Sequence, residues 1–499
     1  MGILTRNIVA NTLGRGWGAV LQLVSVPLYV KFLGVEAFGL LGLFMSIQVV
    51  VSLLDLGLSP TITRELARLS RIENGAQEAR NLVRTFEVIY WAMAMLLFLS
   101  LFVVSPLIAE HWVKTDELSE AACTQAFRLM AIYLMFQWPV TLYSSGLMGL
   151  QVQVLLNVAN ACFAALRTLG GLAVIMLVAP RLEAVLLWNV VCVFLNVTCL
   201  RILLWQRLPT ASTASGFDRA LLLKVWRFCA GVGGTTVMSV FLTQTDKLLL
   251  SKMVSLRDYG YYSMASMVAA ALSQIVGPIS TAVFPRLSQL VGGRDAPGLH
   301  RTFHISCQLV SAIVFPVALV LILFSEQILL LWTGNYDISR NSHVLTGLLV
   351  AGSALNAMMT IPFTLQYAEG RTRPVFLTGL CGSILFAPAV YWLAGTMGLT
   401  GAAVAWLLLN LGFVFLAGPF FFARSIPGGL MSWYRDDLAL PFGAGLAVVL
   451  LARACLGTPG RDVSLMVSLA TISCTAIAVS FMAAPLTRQY IREKYESIT

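Results

Sequence analysis

Charge is scarce in this sequence: Asp, Glu, Lys and Arg make up 11% of its 499 residues, against about 25% in soluble domains. With 58% hydrophobic residues beside that figure, a soluble fold is excluded. Histidine is rarer still, at four residues, and none pairs with a carboxylate at metal-ligand spacing. His300 and His304 stand four apart in what reads as a solvated loop. The nine cysteines contain no C-x-x-C pair, which argues against a zinc site or a disulfide framework. Cys162, Cys192, Cys199, Cys381 and Cys474 fall inside apolar runs and read as small core side chains. No G-x-x-x-x-G-K-[ST] occurs, so the chain is not expected to hydrolyse nucleotide, and no cofactor is implied. The apolar run after Arg6 is too long for a cleaved signal and has no A-x-A site after it, so it reads as a first span.

What the sequence has instead is long apolar runs. At roughly 20 residues per crossing, apolar stretches bounded by turn and charge clusters predict spans at 8–30, 37–62, 85–109, 123–148, 155–179, 184–206, 226–251, 260–284, 303–325, 343–367, 375–395, 399–423, 438–456 and 463–485, about fourteen in all. The expected fold is an all-α polytopic membrane protein. The net charge of +10 sits in short loops rather than on one amphipathic face, which points to topology signals and anionic lipid, not nucleic acid. With the N-terminus inside, roughly 21 basic residues fall on the cytoplasmic side and roughly 8 outside. Both termini are therefore predicted to be cytoplasmic.

The polar stretch PTASTASG, within the loop from Arg207 to Lys224, is the one flexible connector of any length. It divides a first lobe, 1–206, from a second, 225–424, with 207–224 as a cytoplasmic linker. Each lobe is expected to hold six helices. Residues 425–499 then form an appended hairpin of two helices and a cytoplasmic tail. Prolines recur inside spans (Pro27, Pro139, Pro278, Pro316, Pro362, Pro388), where each removes a backbone hydrogen bond and kinks its helix.

A charge at the bilayer centre costs about 2.5–3.5 kcal/mol even on the lenient scale, so charged positions within spans point to function. Arg167 is the deepest. Gln153, Asn157, Asn160, Arg167 and Gly171 share one helical face, which predicts a stripe lining a wet cavity that holds an anion. A buried arginine bonded to neighbouring carbonyls is the competing reading. The first span carries a similar stripe of Asn11, Arg15, Gly18, Gln22, Ser25 and Tyr29, although Arg15 is near enough to the cytoplasmic surface to snorkel. In the second span Gln48, Ser52, Asp55 and Ser59 align. Asp55 either pairs with Arg15 or carries a coupling proton or sodium ion. In the seventh, Thr235, Ser239, Thr243 and Asp246 align beside Lys247, with snorkelling open to the last two. Arg15, Arg128, Arg167 and Lys247 outnumber the intramembrane acids Asp55 and Asp246, a balance suited to a phosphate or pyrophosphate.

The front of each half repeats one turn. With Gly39 laid on Gly260, Lys31, Phe38 and Leu66 fall on Lys252, Tyr259 and Leu287, so KFLGVEAFGL reads over KMVSLRDYGY. Such duplication in membrane spans marks transporters that rock one half against the other. The run from Pro27 to Gly34, then Glu36-Ala-Phe-Gly39, Leu54-Asp55-Leu-Gly57-Leu and Arg64, resembles the polysaccharide transporter branch of the multidrug/oligosaccharidyl-lipid/polysaccharide exporter superfamily. Thr245-Asp246-Lys247-Leu and Gly260-Tyr-Tyr262 are similar to its second signature, and the resemblance covers about the first 420 residues. It implies a flippase for undecaprenyl-diphosphate-linked oligosaccharide in the bacterial inner membrane, serving O-antigen, capsule or exopolysaccharide synthesis. It further implies two lobes around a cationic cavity, with a polysaccharide polymerase and a chain-length regulator as possible partners. The extra hairpin departs from the commonest twelve-helix form. A lipid II flippase also has fourteen helices, but that family expects an Arg-Asp pair in the first span, which is absent here. An ion-coupled multidrug antiporter would show a carboxylate-rich cavity, and a membrane-embedded polymerase or ligase would need a larger external loop than 325–342.

Overall fold

In a computed structural model of the chain, the described residues are 3–55, 57–70, 75–210, 213–219, 237–238, 240–426, 429–456 and 463–489, with backbone alone at 3–15, 19, 423–424, 456 and 463–464. Among them the only β-type pairing is one isolated bridge, Lys114 with Ser255. This is what hydrocarbon demands, since a helix satisfies its own backbone where water is absent. The protein is thus an all-α, multi-pass membrane protein. Eleven helical stretches among the described residues are long and apolar enough to cross a bilayer, fewer than the fourteen expected. Helix α1, Ile3–Val51, counts once although it breaks at Gly34, whose φ of 86° is open to glycine. The seventh expected span runs over residues outside the described set, and α4, which carries Gln125, Arg128 and Gln137, is not among the eleven.

By packing, the chain divides into two compact units, 1–260 and 261–499. The first holds α1; a 3-10 turn, Ser52–Asp55; α2, Leu58–Leu69; α3, Gly75–His111; α4, Glu120–Gly149; α5, Gln153–Leu177; and α6, Leu182–Arg207. It also holds α7, helical over 240–253, and the first turn of α8, Leu256–Gly292. The second expected span is shorter than predicted: its helix stops at Val51, and Pro60 belongs to α2. Helix α4 is the hub, packed on α2, α3 and α6. Small residues let backbones approach there: a Cβ on Gly149 would stand 2.6 Å from the Thr63 carbonyl, and one on Gly146 would meet Leu204.

The expected linker breaks the helix but not the packing. Gln77 Nε2 donates to the Ala214 carbonyl at 3.3 Å, Arg80 to the Pro209 carbonyl at 3.2 Å, and the Asp218 amide to Thr85 Oγ1 at 2.8 Å. The segment is therefore tied to the start of α3.

The second unit holds the rest of α8; α9, Ala296–Leu323; α10, Ser325–Thr333; α11, Tyr336–Met358; α12, Thr360–Ala368; α13, Thr372–Met397; and α14, Leu399–Gly412. A π-turn at Phe413–Ala417 leads to α15, Gly418–Ser425, and α16, Gly429–Ser432. A second π-turn, Trp433–Ala439, then precedes the hairpin of α17, Leu440–Leu456, and α18, Val463–Ala483. Both hairpin helices pack on α9. An apolar cluster of Leu319, Val320, Val449, Leu465 and Ala476 joins them.

Two readings need correction. His304 is not on a solvated face: it lies in α9 with 1% of its surface exposed, its Nδ1 2.5 Å from Asp437 Oδ2. Cys162, Cys381 and Cys474 are exposed rather than in the core. In a membrane the outside of a bundle is as apolar as its inside, so an apolar run alone cannot assign a side chain to either.

Candidate functional site

Several signature residues of the first unit serve its architecture. Glu36, buried just after the Gly34 break, accepts from the backbone amides of Asp116 at 2.9 Å, Glu117 at 2.7 Å and Leu118 at 3.4 Å. Its carboxylate thus fills a nest of N–H groups and fixes the loop between α3 and α4. At the next turn, a Cβ on Gly39 would stand 2.0 Å from the Leu256 carbonyl oxygen, and a Cβ on Gly260 would stand 2.5 Å from that of Val35. The two repeated turns therefore meet at their equivalent glycines. Tyr259 adds a hydrogen bond between its hydroxyl and Ser46 Oγ at 3.1 Å.

The predicted stripe lies on α5, which packs on α1 and α6. Arg167 donates from one terminal nitrogen to the Tyr133 hydroxyl of α4 at 3.0 Å, and Tyr133 donates onward to Gln137 Oε1 at 3.1 Å. The Tyr133 ring stands edge-on to Phe44, with centroids 5.2 Å apart. One turn past Arg167, Gly171 leaves room for the Tyr29 hydroxyl, which a Cβ there would crowd at 2.7 Å. Arg167 as a residue keeps exposed surface, although its guanidinium is largely surrounded by protein. Among the described residues no carboxylate lies within ion-pair distance of it. Such a cation, oriented by one neutral hydroxyl, is suited to pair with an anion.

The other predicted residues differ in their surroundings. Asn157 donates to the Gln153 carbonyl at 2.8 Å, one turn back along its own helix. Asn160 and Gln22 are exposed. Arg15 lies in α1, but its side chain is outside the described residues, as are those of Asn11, Thr235 and Ser239. Asp55 is engaged three times, by the Ser59 amide at 3.1 Å, by Ser59 Oγ at 2.8 Å and by the Tyr90 hydroxyl. Lys247 donates to the Thr243 carbonyl at 2.8 Å and lies 3.5 Å from Asp246 Oδ1, so its charge is already partnered. Arg128 stacks on Phe102 at 5.1 Å.

Sequence reasoning passed over Tyr133 and Gln137, although a polar pair four apart in an apolar run was a visible signal. It also undercounted the acids. Glu87 is buried within α3 and Asp437 is wholly buried beside α9, the first against Arg84 and Arg201 and the second against His304. A cavity of about 710 Å³ in the second unit, where Ser280, Asn356, Thr360 and Thr364 stand among Phe284, Phe363 and Tyr367, was missed as well. Ser280 and Thr364 share a hydrogen bond of 2.7 Å there.

Comparison with known proteins agrees with this architecture. A Shigella flexneri protein named "Putative O-antigen transporter" is 23% identical over 410 residues, spanning 81% of this chain and 94% of that one. Among solved structures, the lipid II flippase MurJ in an inward closed conformation superposes with a TM-score of 0.75 at 12% identity, over 97% of this chain and 100% of its own. An inward-facing multidrug resistance MATE family transporter superposes with a TM-score of 0.70 at 12% identity, over 83% and 95%. At these identities the structures speak for the fold. The MatE family model matches residues 232–392, and the model described as "Polysaccharide biosynthesis protein" matches residues 4–291. That second match takes in the break at Gly34, the Glu36 nest and both repeated glycines. The chain is therefore a membrane transporter rather than an enzyme, and belongs to the polysaccharide biosynthesis protein family, the polysaccharide transporter branch of its exporter superfamily.

Proposed function

We propose that this protein is a flippase that moves undecaprenyl-diphosphate-linked oligosaccharide across the bacterial inner membrane for O-antigen, capsule or exopolysaccharide synthesis. The observation that carries the reading is Arg167: a cation in the middle of α5, held by Tyr133, with no carboxylate in reach among the described residues. The substrate's diphosphate is its natural counter-charge, because a guanidinium fork matches phosphate oxygens in both charge and geometry. Asn157, Asn160 and Gln22 offer the stripe neutral donors for sugar hydroxyls, and Arg15 extends it towards the cytoplasmic side. Transport proceeds by alternating access of the two lobes. Asp55 and Asp246 serve as gating or ion-coupling groups, with Lys247 beside the latter. The Shigella relative supports the substrate class through its name.

The test is Arg167→Ala in the native host. Surface polysaccharide should be lost while the protein remains inserted and folded. Normal surface polysaccharide in that strain would remove Arg167 from the site and the reading with it. A lipid II carrier is the second reading, favoured by the superposition on MurJ that extends over 97% of this chain. Rescue of a strain depleted of its lipid II flippase would select that reading over the first.

A further inference from the structure

Glu87 of α3 collects four donors: the Tyr143 hydroxyl at 2.7 Å, Arg201 Nε at 2.6 Å, an Arg84 terminal nitrogen at 2.8 Å and Trp205 Nε1 at 3.4 Å. One buried carboxylate thus holds two guanidinium groups from two helices. Its own side chain is 3% exposed, while those of Arg84 and Arg201 are 45% and 49% exposed. The arginines line a groove of about 620 Å³ between α3 and α6, whose other walls include Trp91, Phe194 and Thr198. Among the described residues no second carboxylate pairs with either arginine. The cluster therefore carries one uncompensated positive charge, presented by two forks whose orientation a buried acid fixes.

The depth of the groove limits what can supply the missing negative charge. Arg201 lies six residues before the end of α6, or about 9 Å at 1.5 Å per residue. Helix α3, at 37 residues, is about 55 Å long and overruns a hydrocarbon core of about 30 Å, so Arg84 near its start stands at headgroup level. Trp205, one turn beyond Arg201, has Arg80 stacked on its ring at 5.3 Å, as suits an indole at the membrane interface. Beyond the arginines the groove becomes apolar, with Val88 and Phe194 continuing towards the bilayer. A charged end at headgroup depth joined to an apolar trough is complementary to a single lipid molecule.

We propose that this groove holds the phosphate headgroup of an anionic phospholipid from the leaflet on the Arg207 side, with Arg84 and Arg201 donating to the phosphate oxygens. The occupant is a bilayer lipid, not the transported one, and the site is separate from the Arg167 stripe. It would fasten α3 to α6 across α4 by completing the charge that Glu87 only half satisfies.

The test is native mass spectrometry of the full chain extracted from nanodiscs of phosphatidylglycerol mixed with phosphatidylcholine. The wild type should retain phosphatidylglycerol selectively, and Arg84→Gln and Arg201→Gln should each reduce the retained fraction at least about fivefold. Lys252→Gln, an exposed cation at the other end of the first unit, should retain as much as the wild type. Arg84→Lys, which keeps the charge, should restore most of the binding and guards against a mere folding defect. Equal retention by wild type and both glutamine variants would overturn the proposal. So would displacement of the bound phosphatidylglycerol by stoichiometric undecaprenyl diphosphate, which would assign the groove to the cargo.

Discussion

Gly39 and Gly260, equivalent positions of the internal repeat, lie back to back: a Cβ on the first would stand 3.1 Å from the amide nitrogen of the second, and a Cβ on the second 3.4 Å from that of the first. The relation is reciprocal down to the carbonyls of Leu256 and Val35 that each glycine faces, as expected where a local pseudo-twofold axis passes between two copies of one turn. Gly39→Ala and Gly260→Ala should each destabilise the protein by about 1–3 kcal/mol through overpacking. Alanine at Gly39 should cost the more, because the backbone oxygen it meets stands at 2.0 Å, against 2.5 Å at Gly260. Thermal unfolding in detergent reads both, and a Gly39→Ala protein as stable as wild type would contradict the crossing.

At the stripe, Tyr133→Phe removes the hydroxyl that orients Arg167 but leaves the charge. Export should fall severalfold rather than vanish, whereas Arg167→Lys, which keeps a cation without the fork, should fall further. The measurement is surface polysaccharide per molecule of membrane-inserted protein. Export unchanged in Tyr133→Phe would mean that the hydrogen bond does not position the guanidinium.

Asp55 is bound by Tyr90 and Ser59, which fastens the 3-10 turn to α2 and α3. Tyr90→Phe leaves a half-buried carboxylate one donor short and should cost about 1–3 kcal/mol. Asp55→Asn should abolish the dependence of transport on an imposed proton or sodium gradient while substrate binding persists. An unchanged gradient response in Asp55→Asn would assign this carboxylate to structure alone.

The His304, Asp437 and Gln308 group anchors the C-terminal hairpin. Gln308 donates to Asp437 Oδ1 at 2.9 Å, and its own oxygen accepts from the amides of Leu486 and Thr487, each at 3.0 Å. His304→Ala should destabilise the second unit by about 3–5 kcal/mol, because it leaves a buried carboxylate with only Gln308 donating to it among the described side chains. The pair of changes His304→Ala and Asp437→Ala should cost less than the sum of the two single ones. Proteolysis between α16 and α18 follows the undocking. Additive losses in the double variant would contradict a coupled pair.

Much of this was legible in the sequence, and for a physical reason. Hydropathy and the glycine-marked turn at Gly34 are properties of one contiguous stretch. The repeat of KFLGVEAFGL in KMVSLRDYGY could be aligned without knowing that its two copies touch. What stayed hidden depends on contacts between helices distant in sequence: Arg167 with Tyr133, Glu87 with Arg201, His304 with Asp437. A polar side chain within an apolar run announces that it needs a partner, but its helix does not say which neighbour supplies one.

The clamp formed by Gln308 sets an order on biogenesis. Helix α9 leaves the ribosome long before residues 437, 486 and 487, so its histidine and glutamine enter the bilayer with their acceptors and donors still unsynthesised. At the edge of the membrane those groups lack these partners until residues 437, 486 and 487 have been made. A polypeptide cut short before the hairpin would therefore display His304 and Gln308 on α9 without the partners that the hairpin and the segment after it supply.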